Sequence, residues 1–119
     1  IAWLLPRLIG EAKALDLLLS ARIFKGVEAE ILGLVNKSLS AEELEDFVEN
    51  YTKHLVERVS PRSMTIMKRQ IRAGYSQTFS KSLEIADKEM FLSFEQDDFK
   101  EGVESFIENR APKFRGIGT

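Results

Sequence analysis

Asp97-Asp98-Phe99-Lys100-Glu101-Gly102-Val103-Glu104-Ser105-Phe106-Ile107-Glu108-Asn109-Arg110-Ala111-Pro112-Lys113-Phe114 is the stretch that decides how the rest of the sequence is read. Asp98 and Glu101 stand at capping-box spacing. In such a box one side-chain oxygen accepts the N3 amide and a carboxylate three residues on reaches back. The spacing predicts a helix that opens there and runs to about Arg110. Asp97, Asp98 and Glu101 are accordingly read as caps, where carboxylates suit the positive end of the helix dipole. Pro112 cannot continue a helix, and glycines 116 and 118 mark a frayed tail.

Working back toward the start, the same punctuation recurs. A fifth helix is predicted from about Ser80 to Glu95, with Leu83, Ala86, Met90 and Phe94 as its inward stripe. Ser60-Pro61 is a start signal, Ser at N-cap and Pro at N1. The helix after it carries Met64, Met67 and Ile71 inward and ends near Gly74. Ser40-Ala41-Glu42-Glu43 is a full capping box. It opens a long helix to about Val59, whose apolar positions are Leu44, Phe47, Val48, Tyr51, Leu55 and Val59. Earlier, Val27–Leu32 reads as a short helix closed by Gly33. Arg22-Ile23-Phe24 and Leu34-Val35-Asn36 read as extended. Pro6 permits a short turn around Trp3–Ile9, and Gly10 separates it from a helix over Glu11–Ser20. No segment sustains a period of two, so the chain is mainly α.

The opening stretch is crowded with leucine. Leu17, Leu18 and Leu19 cannot share one face at 100° per residue, so this helix is expected to be buried on several sides. A large body of protein preceding Ile1 would provide that cover. A self-contained bundle with a central N-terminal helix is the alternative.

Composition removes several function classes. The chain has 119 residues and a net charge of −2, which gives no electrostatic case for nucleic acid or an anionic membrane. It has no cysteine and one histidine, His54. Disulfides, thiolate metal sites, cysteine nucleophiles and multi-histidine sites are therefore all excluded, and His54 reads as a surface residue. No apolar run approaches the ~20 residues of a spanning helix, and no secretory signal is visible. A cytoplasmic protein is the expectation. Glu42, Glu43, Glu45 and Asp46 read as a solvated helix terminus rather than a catalytic pair. Arg62, Lys68, Arg69 and Arg72 form a basic stretch, read as a solvated face with a phosphate contact as the alternative. The acidic helix beside it argues against a helix-turn-helix.

Taken together, these pieces carry a resemblance. Asp97–Phe114 resembles the closing signature of the enoyl-CoA hydratase/isomerase (crotonase) superfamily, roughly D-D-x-x-E-G-x-x-A-F-x-E-K-R-x-P-x-F. Trp3–Ala14 is similar to the family's stretch after its second catalytic region. Leu17-Leu18-Leu19-Ser20-Ala21-Arg22 resembles L-L-L-T-G-R, with Ala21 in place of the common Gly. Val27-Glu28-Ala29-Glu30 and Gly33-Leu34-Val35-Asn36 resemble A-x-E-A followed by G-L-V-N. Ser60-Pro61 and Lys68-Arg69 sit where the family has S-P and T-K-R. Each piece alone is a weak motif; their order and spacing carry the resemblance.

The resemblance implies that the chain is the C-terminal helical region of a crotonase-like α/β fold, a spiral of ββα turns. Residues 1–36 would end the spiral core, and residues 37–119 would form a helical assembly region. The family's oxyanion hole and proton-moving carboxylates would lie upstream of Ile1, so no catalytic residue falls on this sequence. The chain alone would then be non-catalytic, serving oligomer assembly and capping of an acyl pocket. The intact protein would hydrate 2-enoyl-CoA thioesters, with double-bond isomerisation as the alternative. A stand-alone helical interaction domain is a third possibility. The substrate-binding residues implied are Met90, Phe91 and Phe94 toward a neighbouring subunit's acyl pocket, and Arg110 and Lys113 near the CoA phosphates. The family's usual lysine there is Asn109 in this sequence. The resemblance further implies a homotrimer or hexamer. It implies no metal and no cofactor beyond the CoA of the substrate.

Overall fold

A computed structural model describes residues 1–116. Among them are seven helices and no strand: α1 (Leu5–Ile9), α2 (Glu11–Ser20), α3 (Gly26–Leu32), α4 (Ala41–Arg58), α5 (Pro61–Gly74), α6 (Phe79–Ser93) and α7 (Asp97–Ile107). The start and stop signals place these elements well. Ser40 and Glu43 form the reciprocal box, each amide bonded to the other's side chain at 3.2 and 3.3 Å. Ser60 caps α5 by accepting from the Ser63 amide at 3.0 Å. Thr78, which the sequence reading passed over, caps α6 through the Lys81 amide. Both extended pieces predicted around Ile23 and Val35 lie outside helices, and neither pairs as a strand. Gly118 of the predicted tail lies outside the described residues.

The chain divides into two compact units, Ile1–Phe47 and the part from Val48 onward. In the first, Leu5, Ile9, Ala14 and Leu17 form a small buried core with Phe24, Leu32 and Leu34 packed against it. α1 and α2 pack on each other to make it. Of the three consecutive leucines only Leu17 is inside; Leu19 is 81 % exposed, and Ile23 on the following segment is 98 % exposed. α2 is therefore not the central helix of a self-contained bundle. Arg22 ties α2 to α3 by pairing with Asp16 and Glu28 at 3.3 and 2.6 Å. Glu30 on α3 accepts from the Lys37 ammonium and the Ser38 amide, both at 2.8 Å. Ser38 comes so close to α3 that a Cβ on Gly26 would run into its hydroxyl, which accounts for glycine at that position.

In the second unit α5 and α6 pack on each other. The half-buried positions include Met64, Ile66, Gln70 and Ala73 on α5, and Ser82, Ile85, Ala86 and Glu89 on α6. Of the predicted inward stripes, Met64 and Ala86 are among these positions and the others are not. Leu83, Met90 and Phe94 are about half exposed, as is Met67 on α5, and Ile71 is about two-thirds exposed. Ser82 and Ile85 of α6 lie beside Gln70 and Ala73 of α5, which leaves the larger apolar residues Leu83, Met90 and Phe91 on the surface. α4 likewise has no buried residue, although its apolar residues recur with helical spacing.

The exposed area is large for this mass. Two separate globules dividing the chain in proportion to the units would together expose roughly 7,900 Å². The chain exposes 9640 Å². Much of that surface belongs to leucine, isoleucine, valine, methionine and phenylalanine.

Candidate functional site

α7 organises the second unit through its acids, and not in the way their spacing predicts. The N-cap is Gln96, which makes no side-chain capping bond. Asp98 instead accepts a short hydrogen bond from the hydroxyl of Ser60. One serine thus caps α5 with its oxygen and reaches α7 with its proton. Glu101, one turn on, makes a different tie. Both of its oxygens accept from the Arg110 guanidinium, at 2.5 and 3.0 Å, and one also accepts the Lys113 amide at 2.6 Å. The predicted caps Asp98 and Glu101 are therefore ties to distant segments. Asp97 lies in the first turn, with Lys100 at 4.0 Å.

The turn that makes the second tie possible ends α7 earlier than the predicted Arg110. Asn109 adopts φ +51°. Its amide bonds Phe106 O and the Arg110 amide bonds Ser105 O, the paired bonds of a Schellman close. Asparagine tolerates this left-handed conformation better than a lysine does. The chain then folds back so that Arg110 and Lys113 meet Glu101. Bonding to Arg110 first, and to the Lys113 amide second, holds the Glu101 carboxyl at about 2 against an ordinary 4.5. Arg110 is raised in turn, by Glu101 foremost and then by Glu108 at 2.5 Å.

Two cavities flank this tie. One, of about 520 Å³, has Phe99, Val103, Phe106 and Phe114 as apolar lining and Ser60 and Arg62 among its polar lining. The other, of about 350 Å³, is lined by charged side chains that include Asp97, Lys100, Glu104 and Lys113. Asp98 and Phe114 line both. The sequence pattern signals neither cavity, because each depends on the chain folding back after Asn109.

The five predicted substrate-binding residues fall in two places. Met90, Phe91 and Phe94 sit on the exposed face near the end of α6 and line neither cavity. Phe91 and Phe94 meet edge to face at 6.2 Å between centroids, and Phe94 meets Phe99 of α7 at 5.1 Å. Such contacts contribute about 0.5–1.5 kcal/mol each beyond area burial. Arg110 and Lys113 lie on the return segment. The guanidinium of Arg110 is already held by two carboxylates, while Lys113 faces the charged cavity.

In the basic stretch Lys68, Arg69 and Arg72 are exposed, as a solvated face requires. Arg62 and Arg69, two helical turns apart, converge on Glu89 of α6. Their spacing of seven signals a shared face, but the partner lies in another helix. His54 is exposed, as predicted. Among the described residues no group of acids and histidine is placed to hold a metal ion, and no helix is long and apolar enough to cross a membrane.

A seven-helix arrangement with this closing segment defines a recognisable class. The profile of the enoyl-CoA hydratase/isomerase family matches residues 1–117. The chain belongs to that family. It is 35 % identical over 115 residues to a probable enoyl-CoA hydratase of Bacillus subtilis, covering 94 % of this chain and 43 % of that protein. It is 27 % identical over 114 residues to the 1,2-epoxyphenylacetyl-CoA isomerase of Escherichia coli, covering 96 % of this chain and 43 % of that protein. A probable enoyl-CoA hydratase/isomerase from Mycobacterium abscessus superposes with a TM-score of 0.87 at 26 % identity, over 97 % of this chain and 45 % of that one. The chain thus spans less than half the length of each of these proteins. What it matches is the C-terminal helical region of the crotonase fold.

Proposed function

We propose that this chain is the assembly and acyl-pocket-capping region of an enzyme that hydrates 2-enoyl-CoA thioesters. The observation that carries the reading is the uncovered apolar face of α6 and α7, where Met90, Phe91, Phe94 and Phe106 stand exposed. Residues 1–36 would complete the ββα spiral, and residues 37–119 would pack against neighbouring subunits in a trimer or a pair of trimers. Met90, Phe91 and Phe94 would close a neighbour's acyl pocket. Lys113 is better placed than Arg110 to meet the CoA phosphates, because Arg110 is already committed to Glu101 and Glu108. The oxyanion donors and carboxylates would come from elsewhere in the protein. The reaction would need no metal or cofactor beyond the substrate's CoA. The enzyme would act in the cytoplasm.

The test is hydration of crotonyl-CoA, followed by loss of the enoyl absorbance. The purified 119-residue chain is expected to show no turnover, and the protein carrying the whole family region is expected to hydrate. Turnover by the short chain alone overturns the reading. The family's description as hydratase/isomerase supports a second reading, double-bond isomerisation. Preference for a 3-enoyl-CoA over crotonyl-CoA would select it. A stand-alone helical domain is distinguished by mass: its cellular form would weigh 13.6 kDa, whereas the enzyme's would be well above that.

A further inference from the structure

We propose that residues Arg110–Phe114 form a strap, latched by Glu101, whose Phe114 is a movable wall of the cavity beside α7. The strap has a defined hinge, a defined latch and a defined blade. The hinge is Asn109, whose positive φ reverses the chain at the end of α7. The latch is Glu101, which takes two bonds from Arg110 and one from the Lys113 amide. The blade is Phe114, the next residue, which lines the 520 Å³ cavity and the charged one beside it.

The division of labour follows from which groups are already used. Arg110 spends its guanidinium on Glu101, Glu108 and the Ala111 carbonyl. Two carboxylates already hold the Arg110 guanidinium, which leaves it little to offer an incoming anion. Arg110 therefore acts on the strap and not on a ligand. Another part of the wall holds Asp98, which is fixed by Ser60. That part belongs to helices, whereas Phe114 belongs to a segment without helical or sheet bonds of its own. Release of the latch removes one aromatic wall while the helices keep theirs.

Amide hydrogen exchange at Lys113, read by NMR on the full chain, tests this directly. Glu101→Ala is expected to speed exchange of the Lys113 amide by about tenfold or more, since it deletes a charged acceptor. Helicity by circular dichroism should be unchanged. Glu101→Gln, which keeps size and one acceptor, should fall between the two and guards against a variant that fails to fold. Phe114→Ala should leave Lys113 protected, because the latch precedes the blade, yet raise binding of an anilinonaphthalene sulfonate probe. Unchanged Lys113 exchange in Glu101→Ala overturns the proposal. So does equal release of Lys113 by Phe114→Ala, which would make aromatic packing the fastening.

Discussion

Ser60 and Asp98 lie 38 residues apart and share a hydrogen bond, donated by the serine that also caps α5. The two roles predict a larger loss than a cap alone. Ser60→Ala should cost at least the ~0.5–2 kcal/mol of a lost N-cap. In a cycle with Asp98→Ala, urea denaturation should report coupling of about 0.5 kcal/mol or more. Strict additivity would mean that the contact across the unit contributes nothing.

Glu101 sets an acid limit. Its folded-state value is depressed from 4.5 to about 2, so the folded form binds its proton less readily than the unfolded form does. Its contribution is complete above about 4.5 and is lost as pH falls through about 2. Stability measured across that window should fall more steeply for the wild type than for Glu101→Gln. Equal slopes would remove Glu101 from the acid response. The carboxyl carbon of Glu101, followed by NMR, should titrate at the low end of the window.

Among the described residues two other than glycine have positive φ, Ala21 at 49° and Asn109 at 51°. Ala21 stands where the family commonly has glycine, so Ala21→Gly should raise the thermal midpoint, by about 0.5–1 kcal/mol of stability. Asn109→Gly should be close to neutral. Asn109→Val should cost about 1–2 kcal/mol, because a β-branched residue is poorly suited to the left-handed region.

Glu89 serves two arginines at once. Its carboxylate is 16 % exposed, while Arg69 is 59 % exposed. Glu89→Ala leaves Arg62 and Arg69 without their carboxylate and should cost about 1–3 kcal/mol. Arg69→Ala should cost only ~0.2–1 kcal/mol, the range of an exposed pair. The reverse order in chemical denaturation would refute this assignment of roles.

The seven helices were legible because their ends are written locally. Ser40 with Glu43, Ser60 with Pro61, and Gly33 each act within one turn of the backbone they cap. The faces were less legible. Periodicity finds an apolar stripe such as Leu83, Met90 and Phe94, but it does not say whether that stripe meets another part of the same chain. Here Ala86 is half-buried beside Ser82, Ile85 and Glu89, and Phe94 meets Phe99, while Leu83 and Met90 stay about half exposed. The acids of α7 misled for a related reason. Asp98 and Glu101 have the spacing of a box, yet stronger partners were available 38 residues back in Ser60 and 9 residues ahead in Arg110. A cap and a long-range tie use the same atoms, and spacing alone cannot rank them.

The uncovered leucines of α2 and phenylalanines of α6 and α7 also bear on how stability itself must be quoted. Any partner that covers such a face binds the folded form and not the unfolded one, so it raises apparent stability with the logarithm of its concentration. If copies of this chain are that partner, the melting temperature is not a constant of the molecule. It should climb with protein concentration, and a single value measured in dilute solution would understate what the chain withstands when crowded among its own kind.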